Sequence, residues 1–226
     1  YMMGAGHSVA VTRALSYCNP KEAAEDMLDG IGQYRLTQEL ETGFQEKKEG
    51  LVEKLQTLCK MIFRPENLLV EEAFKSLEDP IADLNEALYT CEVEKAAFAP
   101  ALIKKNEGFM NAGQVQYVCR AGNFLRKGLP YTGVLNVLKV MMGYEYLWTN
   151  IRVKGGAYGC MCGFARNGAS YFVSYRDPNL GQTVDVYEKA AEFIANYEAD
   201  ERTMTQYIIG TFSNIDMPLT ASAKGR

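Results

Sequence analysis

The sequence has few of the residues that build common catalytic sites. Its 226 residues include one histidine and one tryptophan. A Ser-His-Asp or Cys-His nucleophile would have to use His7, and a histidine-rich zinc site cannot be assembled from one histidine. A single histidine in an apolar context is more often structural than catalytic. The chain also lacks a Gly-x-Ser-x-Gly elbow and a Gly-x-x-x-x-Gly-Lys phosphate loop, which excludes those two classes of site.

Long apolar runs and clustered basic residues are missing as well. No segment approaches the roughly 20 apolar residues that span a bilayer, and the segment after Tyr1 does not have the pattern of a secretory signal. The net charge is −4, and lysine and arginine are scattered, whereas a nucleic-acid surface needs them clustered. We therefore expect no nucleic-acid partner and no membrane partner. The start at Tyr1 leads us to expect a chain cut from a longer polypeptide.

The cysteines do not form a metal-binding pattern. There is no Cys-x-x-Cys pair, and Cys160 and Cys162 share one face of a predicted strand. We interpret all of them as buried free thiols in a reducing compartment, which predicts an intracellular protein of the cytoplasm or an organelle matrix. The six are Cys18, Cys59, Cys91, Cys119, Cys160 and Cys162.

The first half of the chain is predicted to be mostly helical. The length of 226 residues allows one large domain or two small ones, and hydrophobic residues, at 47%, are enough for a packed core. Helical spacing of apolar residues runs through residues 6–63, and one stripe on the last of these helices is expected to face the core. That stripe consists of Leu51, Leu55, Leu58, Cys59 and Ile62. A short strand at 68–70 and a helix at 80–89 follow.

The second half combines strands with helices. Alternation predicts a strand at 114–120, and a hairpin of two strands is predicted around Asn167-Gly168, a pair typical of a type I′ turn. Helices are predicted at 130–150, at 182–197 and from Asp200 onward. This order predicts an α+β fold, with an antiparallel sheet and helices packed on one face. The change of pattern near residue 106 predicts two domains, at 1–106 and 107–226.

The most distinctive segment places Arg152 and Tyr158 on either side of Gly155-Gly156. Glycine accepts positive φ and permits close approach of another backbone. Arginine offers a rigid fork of donors, and the tyrosine hydroxyl can donate to a developing oxyanion. A plain turn is nevertheless the commoner meaning of a glycine pair, and the spacing alone leaves both interpretations open.

The same segment resembles a known family. Residues 146–159, Tyr-Leu-Trp-Thr-Asn-Ile-Arg-Val-Lys-Gly-Gly-Ala-Tyr-Gly, and residues 174–179, Ser-Tyr-Arg-Asp-Pro-Asn, resemble the M16 metallopeptidases. The match is to the presequence-protease branch, which is related to insulin-degrading enzyme and pitrilysin. Segments at 6–10, 13–17, 115–118 and 210–220 resemble the family in the same order. The resemblance implies two partial domains of the LuxS/MPP-like metallohydrolase type: the latter part of a third domain at 1–106 and the first part of a fourth at 107–226.

The resemblance also implies roles for individual residues. Arg152 and Tyr158 correspond to the catalytic Arg-Tyr pair that the C-terminal half of the family supplies, and substrate backbone would approach Gly155 and Gly156. Zinc is held in the family's first domain by an inverted His-x-x-Glu-His motif, which this chain lacks. We therefore expect no metal ligand and no cofactor in this chain, zinc in the complete enzyme, and an inactive chain when alone. The expected partners are the N-terminal zinc-binding half, of the same polypeptide or of a partner subunit, and a peptide substrate.

Two functions remain open from the sequence. The first is the substrate-enclosing C-terminal portion of a zinc-dependent endopeptidase that degrades short unstructured peptides. There, Tyr158 would stabilise and Arg152 would orient the oxyanion that forms when zinc-bound water attacks a peptide carbonyl. The alternative is a non-catalytic M16-like structural or peptide-binding module. The presence of both Arg152 and Tyr158 favours the peptidase, since a scaffold does not need them.

Overall fold

The computed structural model describes residues 4–68, 87–90, 92 and 97–224. Most of the strand predicted at 68–70, most of the helix predicted at 80–89, and Cys91 lie outside the described residues. The chain forms two compact units, the first from residues 1–35 and 99–216 and the second from residues 36–98 and 217–226. All of the predicted site residues belong to the first unit.

Helices fill the N-terminal segment, as the spacing of apolar residues predicts. Pro20 occupies the first position of the second helix, where its missing N–H has no helical partner to lose. A short 3₁₀ turn, Pro65–Asn67, follows the last helix. The helices are α1, Gly6–Ser16; α2, Pro20–Asp29; α3, Ile31–Thr42; and α4, Phe44–Ile62.

The apolar stripe of α4 does not lie in a core. No residue of α4 is buried, and Leu55, Leu58 and Ile62 are 51%, 47% and 56% exposed. The prediction that this stripe faces a core is therefore wrong for this chain. Helical periodicity identifies which face is apolar, but the presence of a second element over that face is a matter of tertiary structure.

Three antiparallel strands form the sheet, in the order β1-β3-β2. They are β1, Cys119–Asn123; β2, Gly159–Phe164; and β3, Ala169–Tyr175. The strand predicted at 114–120 begins later than expected, because Gln116 makes only an isolated bridge to Asp177. The predicted α+β class and antiparallel sheet are confirmed.

The β2–β3 hairpin turns where the sequence predicts it, but with a different turn. Ala165 N–H donates to Ala169 O at 2.8 Å, which closes a three-residue loop. Only Gly168, at φ +86°, is left-handed in this loop, whereas a type I′ turn needs two such residues. The prediction of a type I′ turn is therefore wrong. The loop has the pattern of a turn followed by one left-handed glycine.

The helix predicted at 130–150 is two helices of different kinds. An α-helix continues directly into a π-helix, a rare form of helix in which the N–H groups bond five residues back. The helix predicted at 182–197 is found within one residue of those bounds. These elements are α5, Val134–Met141; the π-helix, Met142–Val153; α6, Gly181–Asn196; α7, Glu201–Ile215; and the short α8, Ala221–Lys224.

The core lies between one face of the sheet and the later helices. Phe172 of β3 stacks on Tyr187 of α6, with ring centroids 5.5 Å apart. Tyr175 is three residues further along the strand, so its side chain points to the opposite face. There its ring centroid lies 4.9 Å from that of His7 in α1. Helices therefore contact both faces of the sheet, whereas the sequence predicts helices on one face. The order of elements does not determine which face a helix more than 100 residues away covers.

Candidate functional site

Arg152 lies in the last turn of the π-helix, and the glycine pair caps that helix. Gly156 N–H donates to Arg152 O at 3.0 Å, and Ala157 N–H donates to Ile151 O at 3.1 Å. The two bonds are nested as in a Schellman cap, but each spans one residue more, which matches the wide turns of a π-helix. The cap turns the chain back into β2, so that Tyr158 follows within a few residues of Arg152.

Both glycines are required by this turn. Gly156 has φ +79°, a left-handed conformation that costs other residues strain. A Cβ at Gly155 would lie 2.5 Å from the backbone oxygen of Ile151, and backbone cannot move aside cheaply. The plain-turn interpretation therefore has a physical basis at both positions. Contact of Gly155 and Gly156 with a substrate stays a prediction.

The structure brings Arg152 and Tyr158 together. The guanidinium carbon lies 5.5 Å from the centroid of the Tyr158 ring, and Nη1 donates to the backbone carbonyl of Tyr158. The Tyr158 side chain is 65% exposed. A guanidinium and a phenol are thus adjacent on the surface, and both offer hydrogen-bond donors.

Trp148 also lies at this site, although it is not among the site residues predicted from the sequence. The Arg152 guanidinium lies 4.3 Å from the centroid of the Trp148 ring, closer than to Tyr158. Residues four apart lie on the same face of a helix, so this spacing could have revealed the contact. Tryptophan is the aromatic side chain that attracts cations most strongly.

The segment after β3 holds the loop in place. Tyr158 N–H donates to Tyr175 O at 3.0 Å, and the Asn179 side chain donates to Gly155 O. Asp177 is fully buried and accepts from Thr183 Oγ1 at 2.7 Å and from the Asn179 N–H at 2.8 Å. The two segments that resemble one family, at 146–159 and 174–179, are therefore in contact.

Aromatic rings connect Tyr158 to the N-terminal helix. Tyr175 packs edge-on against Tyr158 at 5.7 Å and against His7 at 4.9 Å. Tyr117 lies 5.6 Å from Tyr175. His7 is thus one member of an aromatic cluster, which agrees with the structural interpretation of this histidine.

The thiols next to the loop are poor nucleophiles. Burial raises the pKa of Cys160 to about 11 and that of Cys162 to about 12. Both thiols therefore stay protonated at neutral pH, and the thiolate is the reactive form. The cysteines at 18, 59, 119, 160 and 162 are unpaired.

Within the part of the chain that the structure describes, no three or more His, Cys, Asp or Glu side chains are grouped to hold a metal ion. The described residues therefore do not fit a zinc site. In the same residues, no helix is long and apolar enough to cross a membrane.

A cleft lies beside the predicted site but does not contain it. Its volume is about 770 Å³, and it lies between the π-helix and α6, with Asn150, Asp185 and Lys189 among its lining residues. Arg152 and Tyr158 are not part of it. Tyr158 is exposed and Arg152 is half-buried.

A second arginine cluster lies elsewhere in the same unit. Arg13 Nη1 is 2.7 Å from Asp26 Oδ2, and Arg13 Nε is 2.8 Å from Glu107 Oε2. The bonds from Arg13 hold the pKa of Glu107 down at about 2. Burial, and a hydrogen bond to Glu107, raise the pKa of Tyr17 to about 12. This cluster ties the irregular segment around Glu107 to α1 and α2.

Comparison with known proteins identifies relatives along the whole chain. Residues 106–226 match the family model of the PreP C-terminal domain. Protein HypA of Clostridium perfringens is 36% identical over 225 residues, which cover 97% of this chain and 23% of that protein.

Organelle proteases are also among the relatives. Presequence protease 1, chloroplastic/mitochondrial, of Arabidopsis thaliana is 28% identical over 231 residues, covering 99% of this chain and 21% of that protein. The mitochondrial presequence protease of Yarrowia lipolytica is 28% identical over 240 residues, which cover 97% of this chain and 23% of that protein. The chain spans less than a quarter of the length of these relatives.

Proposed function

Because this chain belongs to the PreP C-terminal domain family, in the presequence-protease branch of the M16 metallopeptidases, we propose that it is the substrate-enclosing part of a zinc-dependent endopeptidase. The substrates are short unstructured peptides. The observation on which the proposal rests is the pairing of Arg152 with Tyr158 on the surface, 5.5 Å from guanidinium carbon to ring centroid.

The proposed roles follow from the donors that the two side chains offer. Peptide hydrolysis places negative charge on the carbonyl oxygen of the bond that is cut, and donors aimed at that oxygen lower the barrier. The Tyr158 hydroxyl donates a hydrogen bond to this oxygen and stabilises its charge, and Arg152 orients the oxyanion with its fork of N–H donors. Gly155 and Gly156 have no side chains, so a peptide backbone can approach them.

Zinc belongs to the complete enzyme in this proposal and is not bound by this chain. The described residues offer no metal site, so the ion and its bound water are held by an N-terminal half, of the same polypeptide or of a partner subunit. The coverage of less than a quarter of the relatives' length supports such a partner. The chain alone is then inactive, because its donors have no nucleophile to serve.

We place the boundary between two family domains near residue 106. The family match begins at that residue, which supports a fourth domain from 107 and the end of a third domain before it. Packing divides the chain differently, since residues 1–35 join the unit of the sheet. The proposed boundary therefore divides the chain by family domain and not by packing. In this proposal α1 and α2 belong to the preceding family domain but lie in the same compact unit as the sheet.

The proposed location is intracellular, in the cytoplasm or in an organelle matrix. Two observations support it. The Arabidopsis and Yarrowia relatives are named for the chloroplast and the mitochondrion. The described cysteines are unpaired, which is usual in reducing compartments.

Tyr158→Phe in the complete polypeptide tests the proposal. Loss of one oxyanion donor typically costs ~10²–10³ in kcat. The exposed Tyr144 of the π-helix is the matched control, and Tyr144→Phe should leave kcat unchanged. Turnover is measured with a short fluorogenic peptide, and thermal unfolding of both variants is compared with that of the parent.

Near-normal turnover of Tyr158→Phe would contradict the peptidase role of this residue. If the parent itself cuts no peptide with zinc present but still binds one, the chain is a non-catalytic peptide-binding module. Equal losses in Tyr158→Phe and Tyr144→Phe would indicate general damage to the π-helix region.

A further inference from the structure

Arg152 has few contacts that fix its side chain. Nη1 donates to Tyr158 O, and within the described part of the chain no carboxylate forms an ion pair with Arg152. A long side chain with one hydrogen bond keeps much of its rotamer freedom, and ordering an arginine costs up to about 2 kcal/mol. A catalytic donor must be held close to its working geometry. Some other contact has to restrain the guanidinium.

The ring of Trp148 provides that restraint. It lies 4.3 Å from the guanidinium carbon and is the closest aromatic ring to it. A planar guanidinium stacks on an aromatic face and keeps its N–H donors free at the edges. A carboxylate partner would instead occupy those donors. Stacking therefore fixes Arg152 without using up the groups that the reaction needs.

Trp148 is itself held on a rigid support. Leu147 and Ile151 of the same π-helix are almost fully buried in the core. The Tyr146 hydroxyl donates a hydrogen bond to Val186 O at 2.6 Å. The Trp148 side chain is 45% exposed, so its ring covers the surface and does not fill the core. Its replacement should leave the fold intact.

We propose that Trp148 is a positioning residue, which holds the Arg152 guanidinium in its working orientation by stacking. The inference rests on the proposed role of Arg152. It also gives the π-helix a purpose, because this helix presents the indole and the guanidinium on one face next to the glycine cap.

A double-mutant cycle in the complete polypeptide tests the inference. Trp148→Leu should lower kcat about two- to fivefold, the effect expected for loss of a cation–π contact at a partly exposed site. Trp148→Phe keeps an aromatic face and should restore most of that loss. In an Arg152→Ala background, Trp148→Leu should cause no further loss. Tyr144→Leu, an exposed aromatic on the same helix, is the matched control and should leave kcat unchanged in both backgrounds.

Each other outcome overturns a stated part. If Trp148→Leu lowers kcat by the same factor in the parent and in the Arg152→Ala variant, the role of Trp148 is merely structural and the inference is overturned. A loss with Arg152→Ala but none with Trp148→Leu would refute the positioning role alone. No loss with Arg152→Ala would refute the role of Arg152 in the proposed function, and the role of Trp148 with it.

Discussion

Arg13 and Arg152 belong to the same compact unit but have opposite surroundings. Arg13 is bonded to the carboxylates of Asp26 and Glu107, and its side chain is 18% exposed. Arg152 lies on the indole of Trp148 next to Tyr158 and has no carboxylate partner among the described residues. The first arginine uses its donors to join distant segments, whereas the second gives one hydrogen bond to the nearby Tyr158 O and binds no carboxylate among the described residues. Comparison of the partners therefore separates a structural arginine from a candidate catalytic one.

Among the changes at the two arginines and the glycine cap, Arg152→Ala should have the largest effect, and that effect is on turnover. Loss of a charge-bearing donor at the reacting oxygen should lower kcat/KM of the complete polypeptide by ~10²-fold. The free energy of unfolding should fall less than in Arg13→Met, because Arg152 loses one hydrogen bond and a stacked ring but no ion pair in the described residues. Steady-state kinetics and urea unfolding measure the two quantities. An unchanged kcat/KM would contradict the catalytic role of Arg152.

Arg13→Met should show the reverse pattern. The apolar stem is kept, but the Asp26 carboxylate, 5% exposed, loses its cation. Loss of hydrogen bonds between charged groups should lower the free energy of unfolding by about 2 kcal/mol. Arg120→Met is the control, since Arg120 and Glu188 form an exposed ion pair and such pairs contribute about 0–1 kcal/mol. Equal costs in urea unfolding would contradict the structural role of Arg13.

Gly156→Ala should be less costly than loss of Arg13. Its φ of +79° strains any residue with a Cβ, by about 1 kcal/mol. Gly133 is the matched control, because its φ of −60° suits alanine and no atom lies near its added Cβ. Gly133→Ala should be neutral or slightly stabilising. Equal melting temperatures for the two variants would show that the cap tolerates alanine.

The smallest effect is expected at acid pH. Arg13 lowers the pKa of Glu107 from the usual 4.5 to about 2. A carboxyl with a lowered folded-state pKa stabilises fully above its unfolded value, and this stabilisation is lost as pH falls from 4.5 towards 2. Glu107→Gln should therefore flatten the dependence of unfolding free energy on pH in that window. Glu188→Gln, in the exposed pair, is the control, and an identical curve for both variants would contradict the prediction.

Local patterns predicted much of the second half of the chain. The hairpin at Asn167-Gly168 and the helix after Asp177 were found within one or two residues, because alternation and helical spacing depend on neighbours in sequence. The pairing of Arg152 with Tyr158 was also accessible, since only six residues and a glycine turn separate them. The stacking on Trp148 follows from the same helical spacing and was missed.

Other features could not be read from local patterns. No residue of the apolar stripe of α4 is buried, although the spacing of the stripe is that of a core helix. The α-to-π change at Met142 has no signal in the spacing of apolar residues. The hairpin turn has one left-handed residue where Asn-Gly predicts two. The helices and the hairpin were predicted in kind, but local patterns did not predict their exposure, hydrogen-bond spacing or turn type.

The sequence by itself determined the order of helices and strands and the place of the glycine turn. It also determined the chemistry offered by Arg152 and Tyr158, because these depend on residues a few positions apart. Only the tertiary structure decided that Arg13 meets Glu107 across 94 residues and that His7 covers the sheet beside Tyr175. Such contacts depend on how buried surfaces fit together, and no short window of sequence contains both partners. For the same reason, only the fold distinguished the arginine that holds the structure from the one left available for a substrate.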